Sequence, residues 1–149
     1  MRKKIITRWA ALFVLASATS LVAHHSLAQF DTTTGVTLKG TVVRFERVNP
    51  HSLLYIDVKG TDGDTQSWII DGPNVTQLSR MGFSIDTLKA GNAVEACGYL
   101  LKDGRDRHFL TGELLTLPNG RKEKWLDYGH HKCLGPDYQD QHSSQVPRL

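Results

Sequence analysis

The stretch from Val36 to Val58 constrains the fold of this chain more than any other. Val36, Leu38, Gly40 and Val42 alternate with Thr37, Lys39 and Thr41, the two-residue period of a strand with one buried face. At Val42-Val43 the phase slips, and Val43 and Phe45 take over the apolar positions. A slip of one residue turns the later side chains to the other face, so a bulge or sharp bend is predicted there, helped by Gly40. Asn49-Pro50-His51-Ser52 reads as a turn, and Leu53 to Val58 as a second strand.

The rest of the chain continues the β pattern. Asp62-Gly63 is a hairpin signal, and Gln66 to Ile70 a short third strand. Asp71 or Gly72 can cap a helix, and Pro73 suits its first position. Val75, Leu78 and Met81 recur at helical spacing before Gly82, a natural stop, so the spacing predicts a helix over 73–81. A fourth strand runs from Ala93 to Leu101, with Val94, Ala96, Gly98 and Leu100 alternating against Glu95, Cys97 and Tyr99. Asp103-Gly104 turns the chain into a fifth strand, Arg107 to Leu117, which Pro118-Asn119-Gly120 ends. The predicted class is all-β with one short helix: a five-stranded OB-like barrel over 36–125, its helix between strands three and four. An open antiparallel sheet with one packed helix is the alternative. Residues 24–35 form a polar arm. Residues 126–149 have little to bury and are expected to be a flexible tail, with Trp125 the last docked residue.

Residues 1–23 have the features of a cleaved signal peptide. Arg2, Lys3, Lys4 and Arg8 precede an apolar core, Trp9 to Ala18, that is far shorter than the ~20 residues a membrane span needs. Cleavage after Ala23 would leave His24 first. Cleavage after Ala28 would leave Gln29 first but needs an unusually long segment containing two His, so the earlier site is favoured. The expected address is periplasmic or secreted, with no stable membrane anchor after cleavage. From His24 onward 14 Lys and Arg face 15 Asp and Glu, a net charge of −1. A nucleic-acid partner is therefore not expected, since phosphates demand a cationic footprint. Cys97 and Cys133 are the two cysteines. An oxidising compartment permits a disulfide between them, and two free thiols fit the sequence equally.

His24-His25-Ser26 with Phe30-Asp31, Leu38-x-Gly40-x-Val42, Val48-Asn49-Pro50-His51-Ser52 and Tyr55-x-Asp57-Val58 occur in order. Gly72-Pro73-Asn74, Leu78-x-Arg80-x-Gly82-Phe83, Leu88-Lys89-x-Gly91, Gly98-Tyr99 and Leu117-Pro118-Asn119-Gly120-Arg121 follow. Over about 24–121 this combination resembles a family of small exported bacterial proteins classed as a domain of unknown function. The resemblance implies an exported small β-barrel and no particular reaction. The His130-His131-Lys132-Cys133 cluster lies outside it.

His24 carries the sharpest chemistry. As a new N-terminus it offers an α-amine and a ring nitrogen to one metal, and a second imidazole completes a three-nitrogen site suited to Cu(II). His25, His51 or His108 can supply that imidazole; a solvated arm is the plainer reading of His24-His25. His51, stiffened by Pro50, reads as a ligand, a site base or a turn-bracing side chain. Tyr55 and Trp68, with Tyr99 and Phe109, are candidates for a stacking ligand face, or for core packing and cross-strand pairs. Glu46, Asp57 and Glu95 read as a solvated sheet face. His130, His131 and Cys133 offer borderline metal ligands on an unstructured tail. No phosphate loop, nucleophile elbow or Cys-x-x-Cys supports an enzyme. Two functions stay open: a metal module, with copper the expected ion, at His24 with His25 or His51; and a small-ligand or protein-interaction module without metal.

Overall fold

The computed structural model describes residues 25–129, 131–135 and 138. The expected leader and His24 lie outside the described residues. The first element, α1 (His25–Ala28), is a single helical turn in the arm. It is followed by β1 (Val36–Glu46), β2 (Leu53–Lys59), β3 (Thr65–Asp71), α2 (Val75–Arg80), β4 (Ala93–Leu100), β5 (Phe109–Thr116) and β6 (Lys122–Lys124). The strands run β3-β2-β1-β4-β5-β6 across one sheet. Parallel pairing of Ile69, Ile70 and Asp71 with Phe109, Leu110 and Thr111 joins β3 to β5 and closes the sheet into a barrel. The result is a closed five-stranded barrel with an extra strand and the helix between β3 and β4, as the element order predicted.

β1 is long because it pairs on both edges: Val36–Thr41 with β4 and Gly40–Glu46 with β2. The predicted phase slip is a bulge. Val42 faces Ile56 and Arg44 faces Tyr55, which leaves Val43 as the extra residue, 47% exposed. Gly40 lies at this overlap, where a side-chain carbon would stand 2.7 Å from the Asp57 carbonyl oxygen. Leu38, Val42, Leu54, Ile56, Trp68, Ile70, Val94, Ala96, Leu110 and Leu115 fill the interior.

The helix begins later than predicted. Asn74 caps it: its side chain accepts from Gln77 N, and Gln77 Oε1 accepts from Asn74 N in return. Asp71 is instead the last residue of β3, engaged with Leu53 and Thr111 on its two flanks. Gly82, at φ +77°, ends the helix as expected. Leu78, Phe83 and Trp125 plug this end of the barrel. The Trp125 ring packs against Phe45 and Phe83, with centroids 5.9 and 5.3 Å away.

The tail departs most from expectation. Cys97 and Cys133 form a disulfide, with S–S 2.10 Å and Cα atoms 5.6 Å apart. Docking therefore continues past Trp125, through Tyr128 to Cys133. No helix among the described residues is long and apolar enough to cross a membrane.

Gly72 sits directly under Trp125: a Cβ there would stand 2.3 Å from Nε1 and 2.5 Å from Cε2 of that buried ring. Gly72→Ala should therefore cost about 1–3 kcal/mol by overpacking, read as a lower midpoint in thermal unfolding. An unchanged midpoint would mean that the ring yields freely.

Candidate functional site

Closing the barrel through β3 and β5 places the ends of these strands beside the loop that carries His51. Asp71 lies opposite Leu53 in the β2–β3 ladder and opposite Thr111 in the β3–β5 ladder. His51 Nδ1 lies 3.1 Å from Asp71 Oδ1. The loop itself is tied to the main chain on both sides: Ser52 N donates to the Pro73 carbonyl, and Gly72 N donates to the Ser52 carbonyl. Asn49 Oδ1 accepts from Val75 N, the first residue of α2, so the Asn-Pro-His-Ser turn is fixed to the start of the helix.

These groups form a hydrogen-bonded chain. Thr111 Oγ1 bonds both the Asp71 carboxylate and the Tyr128 hydroxyl. When Asp71 is ionised it only accepts, and in that state the Thr111 hydroxyl donates to it and accepts from the Tyr128 hydroxyl. His51 donates from Nδ1 on the other side. That arrangement turns Nε2 of a half-exposed ring away from Asp71. Burial raises the Asp71 pKa above its ordinary value, and the charge and hydrogen bond of His51 oppose the shift. Burial likewise pushes the Tyr128 phenol up to about 12, with the Asp71 and Glu113 carboxylates adding to it.

His51, Asp71 and Tyr128 line a cleft of about 430 Å³, within the range of small-ligand sites. Its other walls are Leu27, Gln29 and Phe30 of the arm and Leu101, Arg105, Asp106 and Phe109 of the β4–β5 loop region. Phe30 and Phe109 stack, with centroids 6.3 Å apart and planes 22° from parallel. The arm is held there by main-chain bonds: Asp31 N donates to the Leu100 carbonyl and Lys102 N to the Gln29 carbonyl. Arg105 is paired with Asp103. The β1–β2 and β4–β5 loops that flank the cleft are those with which OB barrels grip ligands.

The other candidates are dispersed. The backbone of His25 lies in α1; His24, His130 and the side chain of His25 are outside the described residues. His108 stands edge-on to Trp68, with centroids 5.2 Å apart. Among the described residues no three His, Cys, Asp or Glu converge on a point where a metal could sit. Tyr55 and Trp68 do not form one ligand face. Trp68 pairs with Ile56, points inward and is 9% exposed; Tyr55 pairs with Ile69 on the outer side. Strand alternation sets them on opposite faces. The outer face of Tyr55 is already covered by Arg44, whose guanidinium carbon lies 3.7 Å from the ring centroid. Glu46 pairs with Arg44, Glu95 with Lys39, and Asp57 accepts from Ser67 Oγ, so the three carboxylates stay apart.

Sequence reasoning missed Asp71, Thr111, Tyr128 and Glu113. The sequence offers Asp71, with Gly72, as a helix cap. Glu113 is the extra residue of a second bulge, since Cys97 faces Leu114 and Gly98 faces Gly112. It is fully buried, and its carboxylate accepts from the Tyr99 hydroxyl and from the main-chain N–H groups of His131 and Cys133, at 2.7, 2.9 and 3.0 Å. Burial, with Glu113 adjacent, pushes the Tyr99 phenol to about 12. A lone Glu in an otherwise apolar strand, F-L-T-G-E-L-L-T, was the available signal for a buried, fully partnered carboxylate.

Residues 11–110 match the family of unknown function DUF6152, and the chain belongs to that family. No curated protein and no solved structure matches it.

The raised Asp71 pKa gives a signed expectation. A carboxyl that holds its proton more tightly when folded contributes most stability below its unfolded pKa, and that contribution is lost as pH rises through the folded value. Asn at this position does not titrate. The stability of the wild type relative to Asp71→Asn should therefore fall as pH rises from about 4 through the raised pKa, measured by urea unfolding at successive pH values. A difference that grows with pH would contradict the burial of this carboxyl.

Proposed function

For a chain whose family has no assigned function, we propose that the protein is an exported binding module whose site is the cleft at His51. The ligand in this reading is a copper ion, held by the α-amine and ring of His24 with His51 Nε2 as the third nitrogen. One observation carries it: a carboxylate-oriented imidazole lies in the same cleft as Leu27 and Gln29, close after His24 in the chain. A metal-binding His is commonly fixed by a carboxylate on its other nitrogen, which sets the tautomer and raises the basicity of the free one. Three nitrogens of this kind match Cu(II) in ligand type. His24 itself enters from the sequence alone. This reading takes His51 rather than His25 as the partner, because the Asp71 carboxylate lies against Nδ1 of His51.

A second reading, an organic ligand without metal, is favoured by the stacked Phe30–Phe109 wall with Leu27 and Leu101. Such a surface grips a flat apolar body, and the His51–Asp71 pair would hold its polar end. A protein partner would need a broader face than this cleft gives.

Intact-mass measurement of the chain purified after export, with one equivalent of Cu(II) and a competing chelator, separates the two. The copper reading expects a mass starting at His24 with one retained copper. Asp71→Asn should then weaken binding about 10–100-fold, and His51→Ala should weaken it at least as much. A start at Gln29, or copper retention unchanged by His51→Ala, would remove the copper reading and leave the organic ligand to be sought at the same cleft.

A further inference from the structure

The stretches 127–129 and 131–135 lie across the outer face of β4 and β5. On that face stand Cys97, Tyr99, Thr111 and Glu113, the residues opposite in phase to the inward Ala96, Gly98, Leu110 and Leu115. The strap adds Tyr128 to the cleft wall at one end and Cys133 to the disulfide at the other. Its described residues make no sheet ladder. Its non-covalent hold is polar for the most part: the Glu113 carboxylate bonded to two strap N–H groups and 3.7 Å from His131 Nδ1, Lys132 N donating to the Tyr99 hydroxyl, the Thr111–Tyr128 bond and the Lys124–Asp127 ion pair, with one ring contact, Tyr99 against Tyr128.

Two features weigh against a strap that stays down unaided. His131 and Lys132 are exposed and Leu134 is only half-buried, so little apolar surface holds the segment. His131 also sits at φ +53°, a left-handed conformation that a residue with a side chain adopts at a cost. By contrast, the barrel is closed by β3–β5 pairing, in which the strap takes no part. Of the two cysteines Cys97 is buried and Cys133 half-buried, so a solvent reagent approaches the disulfide from the Cys133 side.

We propose that the Cys97–Cys133 disulfide is a redox latch on the cleft. Closed, it presses the strap onto β4–β5 and sets Tyr128 against Thr111 in the chain that ends at His51. Opened, it releases the strap and Tyr128 while the barrel stays folded. Opening is thiol–disulfide exchange with an external dithiol. One thiolate of the reductant attacks one protein sulfur and expels the other as a thiolate; the second reductant thiolate then attacks its partner sulfur in the mixed disulfide and expels the first protein sulfur, so that the protein ends with two thiols, protonated from solvent, and the reductant leaves as its own disulfide. The cleft is then complete only where disulfides persist, so a chain still in a reducing compartment has an unfinished site. This inference uses the cleft but not copper, so it stands or falls independently of the metal reading.

The test is hydrogen exchange with mass spectrometry on the processed chain, oxidised and after reduction with dithiothreitol, together with the ring ¹⁵N signals of His51. Reduction should speed exchange in the 127–135 peptide about tenfold or more, leave β1–β3 protected and shift the His51 signals. Cys97→Ser/Cys133→Ser should reproduce this without reductant. If that variant does not fold, reduction of the folded wild type decides. Tyr128→Phe, with the disulfide intact, should shift the His51 signals while the strap stays protected. A strap still protected after reduction would overturn the latch, because Glu113 alone would then suffice. Loss of protection in β1–β3 together with the strap would also overturn it, making the disulfide a staple for the whole domain.

Discussion

Three parallel residue pairs, Ile69–Phe109, Ile70–Leu110 and Asp71–Thr111, hold the rest of this architecture in place. Without them the chain is an open sheet with two free edges. With them the sheet becomes a barrel, and Ile70 and Leu110 turn inward to a shared core in which both are fully buried. The same three pairs set an outer seam. Phe109, Asp71 and Thr111 project along it, and the β1–β2 loop delivers His51 beside them. The cleft is thus a direct product of closure, since its polar residues come from segments distant in sequence and meet only at the seam.

A barrel strand has two faces, and this domain uses both. The inner faces supply the apolar core. The outer face of β4–β5, which in an isolated barrel would be wet, is covered on one side by the arm and on the other by the strap. That cover explains the buried polar residues. Tyr99 and Glu113 would be exposed on a bare barrel. Beneath the strap they are desolvated, and such groups persist only when their hydrogen bonds are met. Glu113 meets this demand with three donors, two of them main-chain N–H groups of the strap itself. The bulge that leaves Glu113 as the extra residue of β5 frees its side chain for that role.

The legible parts of this fold were those written in local pattern. The alternation in β1, its slip at Val43, the turn glycines 63, 82, 104 and 120, and the helix between the third and fourth strands all rest on residues near one another in the chain. The disulfide pairing was left open because pairing depends on distance in space, not spacing in sequence. The helix cap was placed at Asp71 or Gly72 because both residue types suit a cap; only the β3–β5 seam, invisible in the sequence, claims Asp71 for a strand. Low apolar content predicts a flexible tail. That reasoning could not weigh a buried carboxylate and a covalent link, which anchor a segment without apolar burial. At the cleft, His51 was legible from its place after Pro50, but its partner Asp71 was not.

Asp71 holds His51 by Nδ1, and the binding site at the cleft depends on that hold. The most direct measurement is the ring tautomer of His51 at neutral pH, from ¹⁵N–¹H correlation of the imidazole in the folded chain. The account predicts the proton on Nδ1, donated to Asp71, and an unprotonated Nε2 open to a ligand. A proton resident on Nε2, or a ring averaging between tautomers as in a free histidine, would contradict it: His51 would then be a turn residue near an acid rather than an aimed group.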